Sequence, residues 1–360
     1  MQTDMHYYGT YAMARAGGIA KEASRIIARA SQFVDDNAKA ESIEFSDGGR
    51  LDTVATAHHT ADLANIDKAD QRQIWVPFHF IPGNEGNHYT QRLMCTKDSA
   101  IAREMVEHHL SKSSAAYSLE LLGICAHVYG DTFSHYGFSG VSSRRNRIAA
   151  NSLIMEEVES ELLKFLKGKE QSFFDKYGGE RFLANIQSGV ATAVSGALGH
   201  GSVLTYPDQP YLKWGFSYDW PKKVPVKRNN PQTFLEGCQA LHAMFTRYAA
   251  SRPDHAEGAP KQWDDIKDDV KAILLTQGDE ALRIKIWTEA VNRGDLCDGS
   301  GEDLPVYKIA ELKEELEGLK KWTDSSMVVN KPVFKFFQAA AYHRNYVLRD
   351  LLPAHQLLVA

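Results

Sequence analysis

The sequence predicts an all-α protein, a multi-helix bundle with a metal cluster between its helices and one long aromatic loop. Apolar residues recur at helical spacing over most of the 360 residues. No series of alternating strands, internal repeat or low-complexity tract interrupts them. Within one apolar run, AHVYGDTFSH, two histidines and an aspartate are spaced four residues apart.

The helices follow one another with short connections. Residues 9–33 read as two helices broken at Gly17-Gly18. Residues 74–82 (IWVPFHFIP) fit a short strand or an extended loop equally well, because they contain Pro77. A helix then runs from about Thr96 or Asp98 to residue 112. The helix with the spaced histidines covers about 114–136, and two more are expected at 149–167 and 179–197.

The second half of the chain begins with the loop at 199–231, which is rich in proline, glycine, tyrosine and tryptophan. Helices resume at about 232–251, 263–275, 278–292, 306–321 and 330–350. The polar segment at 251–262 is the best domain boundary. We therefore expect a metal-binding helical catalytic domain at 1–250, and a C-terminal helical extension at 251–360 that packs on it.

Composition excludes several classes of protein. A net charge of −5 argues against non-specific binding to long nucleic acids. The four cysteines are far apart and form no C-x-x-C, which is typical of reduced thiols. The N-terminus lacks a signal-peptide pattern, and no apolar stretch is long enough to span a membrane. The expected location is cytoplasmic, although export as an effector stays open, and the oligomeric state is not predicted.

His127, Asp131 and His135 carry the strongest chemical signal. At i, i+4 and i+8 of a helix their side chains share one face. Two imidazoles and a carboxylate are ligands that zinc prefers. The alternative is a helix of core histidines bonded to carbonyls, but three polar groups on an apolar helix would each need a partner. We favour a metal site.

Other candidate ligands lie in less specific settings. His6 is near the start, His79 alternates with aromatic residues, and Asp35 and Asp36 end a helix, where their charge opposes the helix dipole. His200 stands between two glycines, and Asp208 lies in a turn, where aspartate is also common for structural reasons.

These segments, in this order, resemble the zinc-dependent phospholipase C and fungal single-strand nuclease superfamily. The quoted segments are DMHYYG, FVDD, PFHFIPG, AHVYGDTFSH and the isolated His200. The run DTFSHYGF resembles an uncharacterised bacterial branch more closely. The resemblance covers about residues 4–208 and implies an all-α enzyme that hydrolyses phosphodiesters with clustered zinc ions.

The resemblance also implies a ligand set for two or three Zn²⁺ ions. Asp35 or Asp36 would hold one ion with His79 and His127. Asp131 would bridge it to a second ion, which also takes His6. His135, His200 and Asp208 would hold a third. The family uses an N-terminal amine as a further ligand, and we expect Asp4 to replace that amine in this chain.

The expected activity is hydrolysis of a phosphodiester by a metal-bound hydroxide. Asp35 and Asp131 are the carboxylates assigned to catalysis. The candidates for substrate binding are His59, Arg144, Tyr206 and Trp214. A phospholipid and a nucleotide substrate remain open, as does a single-strand nuclease-like activity. A non-enzymatic protein with structural ions is the alternative from another class, and an HD-type phosphohydrolase ranks low because the chain has no adjacent His-Asp pair.

Overall fold

Helices make up most of the structure, a computed structural model that describes residues 1–58, 68–149, 152–160, 162–164, 166–168, 198–297 and 303–359. In chain order these helices are α1 (Thr10–Ala16), α2 (Lys21–Asp36), α3 (Lys68–Gln73), α4 (Trp75–Phe78), α5 (Tyr89–Arg92), α6 (Ala100–Ser111), α7 (Ser118–His135), α8 (Asn230–Ser251), α9 (Trp263–Leu275), α10 (Glu280–Arg293), α11 (Glu311–Leu319), α12 (Pro332–Tyr346) and α13 (Leu352–Ala354). A π-helical turn, Asp4–Gly9, precedes α1. The mostly helical character predicted from the sequence is therefore confirmed.

The close crossing of α2 and α7 positions the site. A Cβ atom added at Gly123 of α7 would lie 2.3 Å from the carbonyl oxygen of Ile27 and 2.7 Å from the Cβ of Ala30. Glycine at this position lets the two backbones approach more closely than any other residue would allow. As a result the last turns of α2 lie beside the second half of α7. All residues of α7 from Glu120 to His135 are buried.

Within the described residues, five short strands depart from the all-α prediction. An antiparallel hairpin joins β1 (Ser42–Glu44) to β2 (Arg50–Asp52), and β4 (Lys213–Tyr218) pairs with β3 (Ile154–Glu156) and β5 (Val224–Asn229). Both β4 and β5 fall in the segment predicted to be one irregular loop. The alternation of Trp214, Phe216 and Tyr218 is a strand pattern of period two, and its aromatic side chains pack in a second apolar core.

Several helix boundaries also differ from the predicted ones. Residues 74–82 are predicted to be extended, but Trp75–Phe78 within them form α4, and Pro77 lies in its first turn, where no backbone N–H is needed. The helix predicted at 149–167 contains β3 near its start. The helix predicted at 179–197 lies outside the described residues.

The C-terminal helices pack against the first half of the chain. Helix α12 contacts α7, and α10 contacts the turn Asp4–Gly9. The division of the chain at residue 250 stays a prediction. None of the helices in the described ranges is long and apolar enough to cross a membrane.

Candidate metal centre

The three spaced residues of α7 face the interior together, as predicted. His127 and Asp131 have no exposed surface, and His135 is 4% exposed. Asp131 lies at the centre of a cluster of polar groups. Its Oδ1 atom is 2.9 Å from the Met1 amine and 3.2 Å from His6 Nε2, and its Oδ2 atom is 3.2 Å from His127 Nε2, 3.3 Å from His79 Nδ1 and 3.4 Å from His135 Nδ1.

Backbone carbonyls fix the orientation of four histidine rings. The pairs are His127 Nδ1 with Ser31 O at 2.8 Å, His79 Nε2 with Thr56 O at 2.9 Å, His135 Nδ1 with His79 O at 3.0 Å and His200 Nδ1 with Leu204 O at 2.7 Å. A carbonyl oxygen only accepts, so each of these ring nitrogens carries the proton. The other nitrogen of a neutral ring then offers a lone pair, which is how metal-binding histidines are held.

The free nitrogens face one another and the central carboxylate. His127 Nε2 lies 3.3 Å from His79 Nδ1, and both lie next to Asp131 Oδ2. His6 Nε2 is buried and has no hydrogen-bond partner among the described residues. Acceptors that face acceptors in the interior repel unless a proton or a cation lies between them. The donor set therefore fits a metal ion.

The possible ligand atoms form three groups within the described residues. These groups are His6 with His127 and Asp131, Asp35 with His79 and His127, and His135 with His200 and Asp208, and the atoms of each lie within 4.8 Å of one another. Neutral imidazole and ionised carboxylate are the protonation states that bind metal. The buried His and Asp side chains could thus hold metal ions, as the sequence predicted.

The electrostatics of the cluster favour those protonation states. Burial, together with His127 and the Met1 amine, lowers the pKa of His6 to about 3. Burial also lowers the pKa of His200 to about 4. Burial alone would raise the pKa of Asp131, but the surrounding imidazoles and the Met1 amine hold it well below its usual range.

Only one of the two acids that end α2 reaches the cluster. Asp35 lies 3.8 Å from His6 Nε2, His79 Nδ1 and His127 Nε2. Asp36 points elsewhere and accepts hydrogen bonds from Tyr307 and Gln32, because neighbouring helix residues diverge by about 100°. The Asp35 side chain is 32% exposed, so it marks the side of the cluster that water can reach.

His200 and Asp208 join the cluster at its other end. Asp208 lies 3.0 Å from His135 Nε2 and 3.6 Å from His200 Nε2. The residue four positions after His200 is Leu204, where the resembled family has an acid. Its backbone takes φ = 55°, and its carbonyl accepts the hydrogen bond that orients His200.

The prediction that Asp4 would supply a ligand is wrong. Its Oδ2 atom accepts a hydrogen bond of 2.8 Å from Arg283 Nε in a buried ion pair, and it belongs to none of the three groups of described residues. The Met1 amine lies in the cluster instead, 2.9 Å from Asp131 Oδ1 and 3.3 Å from Asp208 Oδ1. Burial would lower the pKa of this amine, but the two carboxylates raise it to about 11.

Two of the four candidates for substrate binding lie in the core. Tyr206 and Trp214 are each 1% exposed and pack edge to face, with ring centroids 5.8 Å apart. Both side chains therefore belong to the second apolar core. Arg144 is exposed on a 3-10 turn, and His59 lies outside the described residues.

Arg228 is a buried residue of the site that sequence reasoning missed. It donates hydrogen bonds to the carbonyl oxygens of Ser134 and Tyr136 at the end of α7, and it stacks on the Tyr136 ring at 3.5 Å. A cation at a helix C-terminus is favourable, since the last carbonyls have no partner in the helix. Arg228 thus fixes the end of the helix next to His135. Its position in β5 gave no signal in the sequence.

Comparison with known proteins gives one family. A family described as a family of unknown function (DUF6765) matches residues 1–351. Neither the curated proteins nor the solved structures contain a match to this chain.

Proposed function

The chain belongs to the DUF6765 family, and we propose that it is a zinc-dependent phosphoester hydrolase that resembles phospholipase C and cleaves a phosphodiester. The observation that supports this most is the orientation of the histidine rings. Hydrogen bonds to four backbone carbonyls orient the rings, so that the lone pairs of the other ring nitrogens face one another and face carboxylates. A merely structural histidine core would not bring so many acceptors together.

The three groups of atoms assign the ligands of the proposed ions. Asp35, His79 and His127 would hold one ion, and Asp131 with His6 would hold a second next to it. His135, His200 and Asp208 would hold a third. The Met1 amine lies between Asp131 and Asp208, so it would join the ligands once it has lost its proton.

Zinc ions in such a centre would lower the pKa of a water molecule towards neutrality and would neutralise the charge of a phosphate group. Asp35 would act as the general base. It is the most exposed of the proposed carboxylate ligands, at 32%, against 0% for Asp131 and 9% for Asp208. Substrate would therefore approach at the end of α2, and Asp35 is placed to accept a proton from an attacking water molecule.

The proposed substrate class rests on the resemblance to the phospholipase C superfamily and on the presence of more than one proposed metal ion. Clustered divalent ions suit a phosphate diester, whose charged oxygens can bind more than one ion. Either a phospholipid or a nucleotide fits this chemistry. Tyr206 and Trp214, two of the candidates for substrate binding, are buried in the core and offer no exposed ring on which a base could stack, which weakens the nuclease-like alternative.

One observation favours a non-enzymatic protein with structural ions. Most of the ligand atoms are deeply buried, and a fully enclosed ion has no open position for a substrate. The solvent-exposed part of Asp35 is what distinguishes the two readings, because only a catalytic centre needs an open side.

The neighbouring acids of α2 provide a matched test. Asp35→Asn should lose zinc and hydrolysis of bis(p-nitrophenyl) phosphate. Asp36→Asn, at a carboxylate that accepts hydrogen bonds from Tyr307 and Gln32 and belongs to none of the three groups of described residues, should retain the metal. Zinc is measured by elemental analysis, and chelation should abolish turnover of the unmodified protein. Equal zinc in both variants would contradict the ligand set. Full zinc without turnover on lipid, nucleotide and nucleic-acid diesters would favour structural ions.

A further inference from the structure

The first residues of the structure lead directly into the interior: residues 1–3 are partly buried, and the chain is buried from Asp4 to Ile19. The side chain of Met1 is 4% exposed and packs against the main core. The carbonyl of Gln2 accepts hydrogen bonds of 2.9 Å from the backbone N–H groups of Met5 and His6. Chain ends normally fray, because ordering each residue costs about 1–2 kcal/mol of conformational entropy. Some specific contact therefore has to hold this segment.

Arg283 of α10 supplies that contact. It is 2% exposed, and it donates from Nε to Asp4 Oδ2 at 2.8 Å, from Nη1 to Gly278 O at 2.7 Å and from Nη2 to Gln2 Oε1. Two of its three partners belong to the first four residues. A guanidinium group with a planar set of donors fixes direction as well as distance.

The ion pair is costly as a purely stabilising device. Asp4 has no exposed surface, and its Oδ1 atom has no hydrogen-bond partner in the described part of the chain. Burying two charges costs desolvation energy that an apolar pair of the same volume would avoid. What the ion pair adds is a fixed orientation of residues 2–4. Met1 and His6 lie on either side of this segment, and both contact Asp131 Oδ1.

We propose that Arg283 is a positioning residue, which acts through Gln2 and Asp4 to hold the α-amine of Met1 against Asp131 and Asp208. The C-terminal part of the chain would thus complete a centre whose proposed ligands all lie within the first 208 residues. The role of the Met1 amine as a zinc ligand rests on the proposed function. The position of the amine in the cluster does not, because it is a property of the metal-free protein.

The test is acylation of the Met1 amine in chelator-treated protein, followed by mass spectrometry of the N-terminal peptide. Arg283→Gln should raise the rate of labelling at least about tenfold, because local opening exposes the amine to the reagent. Arg293→Gln is the matched control. It changes an arginine of the same helix whose ion pairs, with Asp295 and Glu289, are on the surface, and it should label like the unmodified protein.

A second variant guards against misfolding, since Arg283→Gln leaves the buried charge of Asp4 without its partner. Arg283→Met combined with Asp4→Asn removes both charges together, and it should also expose the amine, while Arg283→Lys should restore part of the protection. Protection equal to that of the unmodified protein in the folded double variant would overturn the inference.

Zinc content separates this inference from the proposed function. If the variants expose the amine and lose about one equivalent of zinc, the positioning role of Arg283 and the proposed function are both supported. If they expose the amine and the unmodified protein binds no zinc, the positioning role stands and the proposed function fails. If they expose the amine but keep all their zinc, Arg283 positions the terminus and the amine is not a ligand.

Discussion

A single glycine added before Met1 tests the role of the amine most directly. The extension converts a buried cation into a neutral amide and moves the charged amine by up to about 3.8 Å along the chain. The amide can still donate one hydrogen bond to Asp131, but it carries no charge and no lone pair for a metal. We therefore expect a less stable metal-free protein that also binds less zinc.

The magnitude follows from the two carboxylates. At 2.9 Å from Asp131 and 3.3 Å from Asp208, the Coulomb energies are about 6 and 5 kcal/mol at an effective dielectric constant of about 20. Burial of the amine offsets much of this attraction. The net effect is the rise of its pKa from 8.0 to about 11, which corresponds to about 4 kcal/mol. The extension should lower the free energy of unfolding by about this amount at neutral pH.

The assay is urea unfolding of chelator-treated protein. The proteins with and without the extra glycine are made from one fusion protein, which is cut by a protease that leaves the glycine or by one that removes it. A glycine added at the C-terminus is the control for chain length. A raised pKa contributes stability that is complete below pH 8 and is lost as the pH rises through about 11. The difference between the two proteins should therefore shrink over that interval. Equal stability at pH 7 would refute the reasoning.

Three further outcomes follow from the same contacts. Asp131→Asn should remove more than one equivalent of zinc, measured by elemental analysis, because we propose that this carboxylate bridges two ions. Zinc binding should release protons, since the Met1 amine has a pKa of about 11; affinity should rise with pH, and calorimetric heats that do not depend on the buffer would contradict this. Gly123→Ala should destabilise the protein by about 1–3 kcal/mol in urea unfolding, because its Cβ would lie 2.3 Å from Ile27 O. Gly130→Ala on the same helix, with nothing nearer than 3.9 Å, should be tolerated.

The spacing of residues in the sequence predicted those features of the site that lie on a single helix. The i, i+4, i+8 series placed His127, Asp131 and His135 on one buried face because helix geometry fixes those positions. The positions of His6, His79 and His200 came from the order of segments in a resembled family, and the structure brings them to the same cluster. The helical class was predictable for the same reason, because most of the apolar pattern has the helical period.

Long-range contacts could not be read from the sequence. Nothing local indicates that Asp4 pairs with Arg283, which is 279 residues away, and so Asp4 was assigned to the metal. The choice between Asp35 and Asp36 depended on which of the two side chains faces the histidines of the cluster, and this is a tertiary contact. The strands β4 and β5 were missed because glycine and proline surround a short alternating pattern, and because β3, one of the two strands that pair with β4, lies much earlier in the chain.

The contact between Asp4 and Arg283 also sets an order of events during synthesis. Residue 283 is added about 14 to 56 s after residue 4, at about 5–20 residues per second. Throughout that interval Asp4 lacks the guanidinium group that later pairs with it. The orientation of residues 2–4 is therefore fixed only after α10 has been made, when every proposed ligand of the centre is already part of the chain.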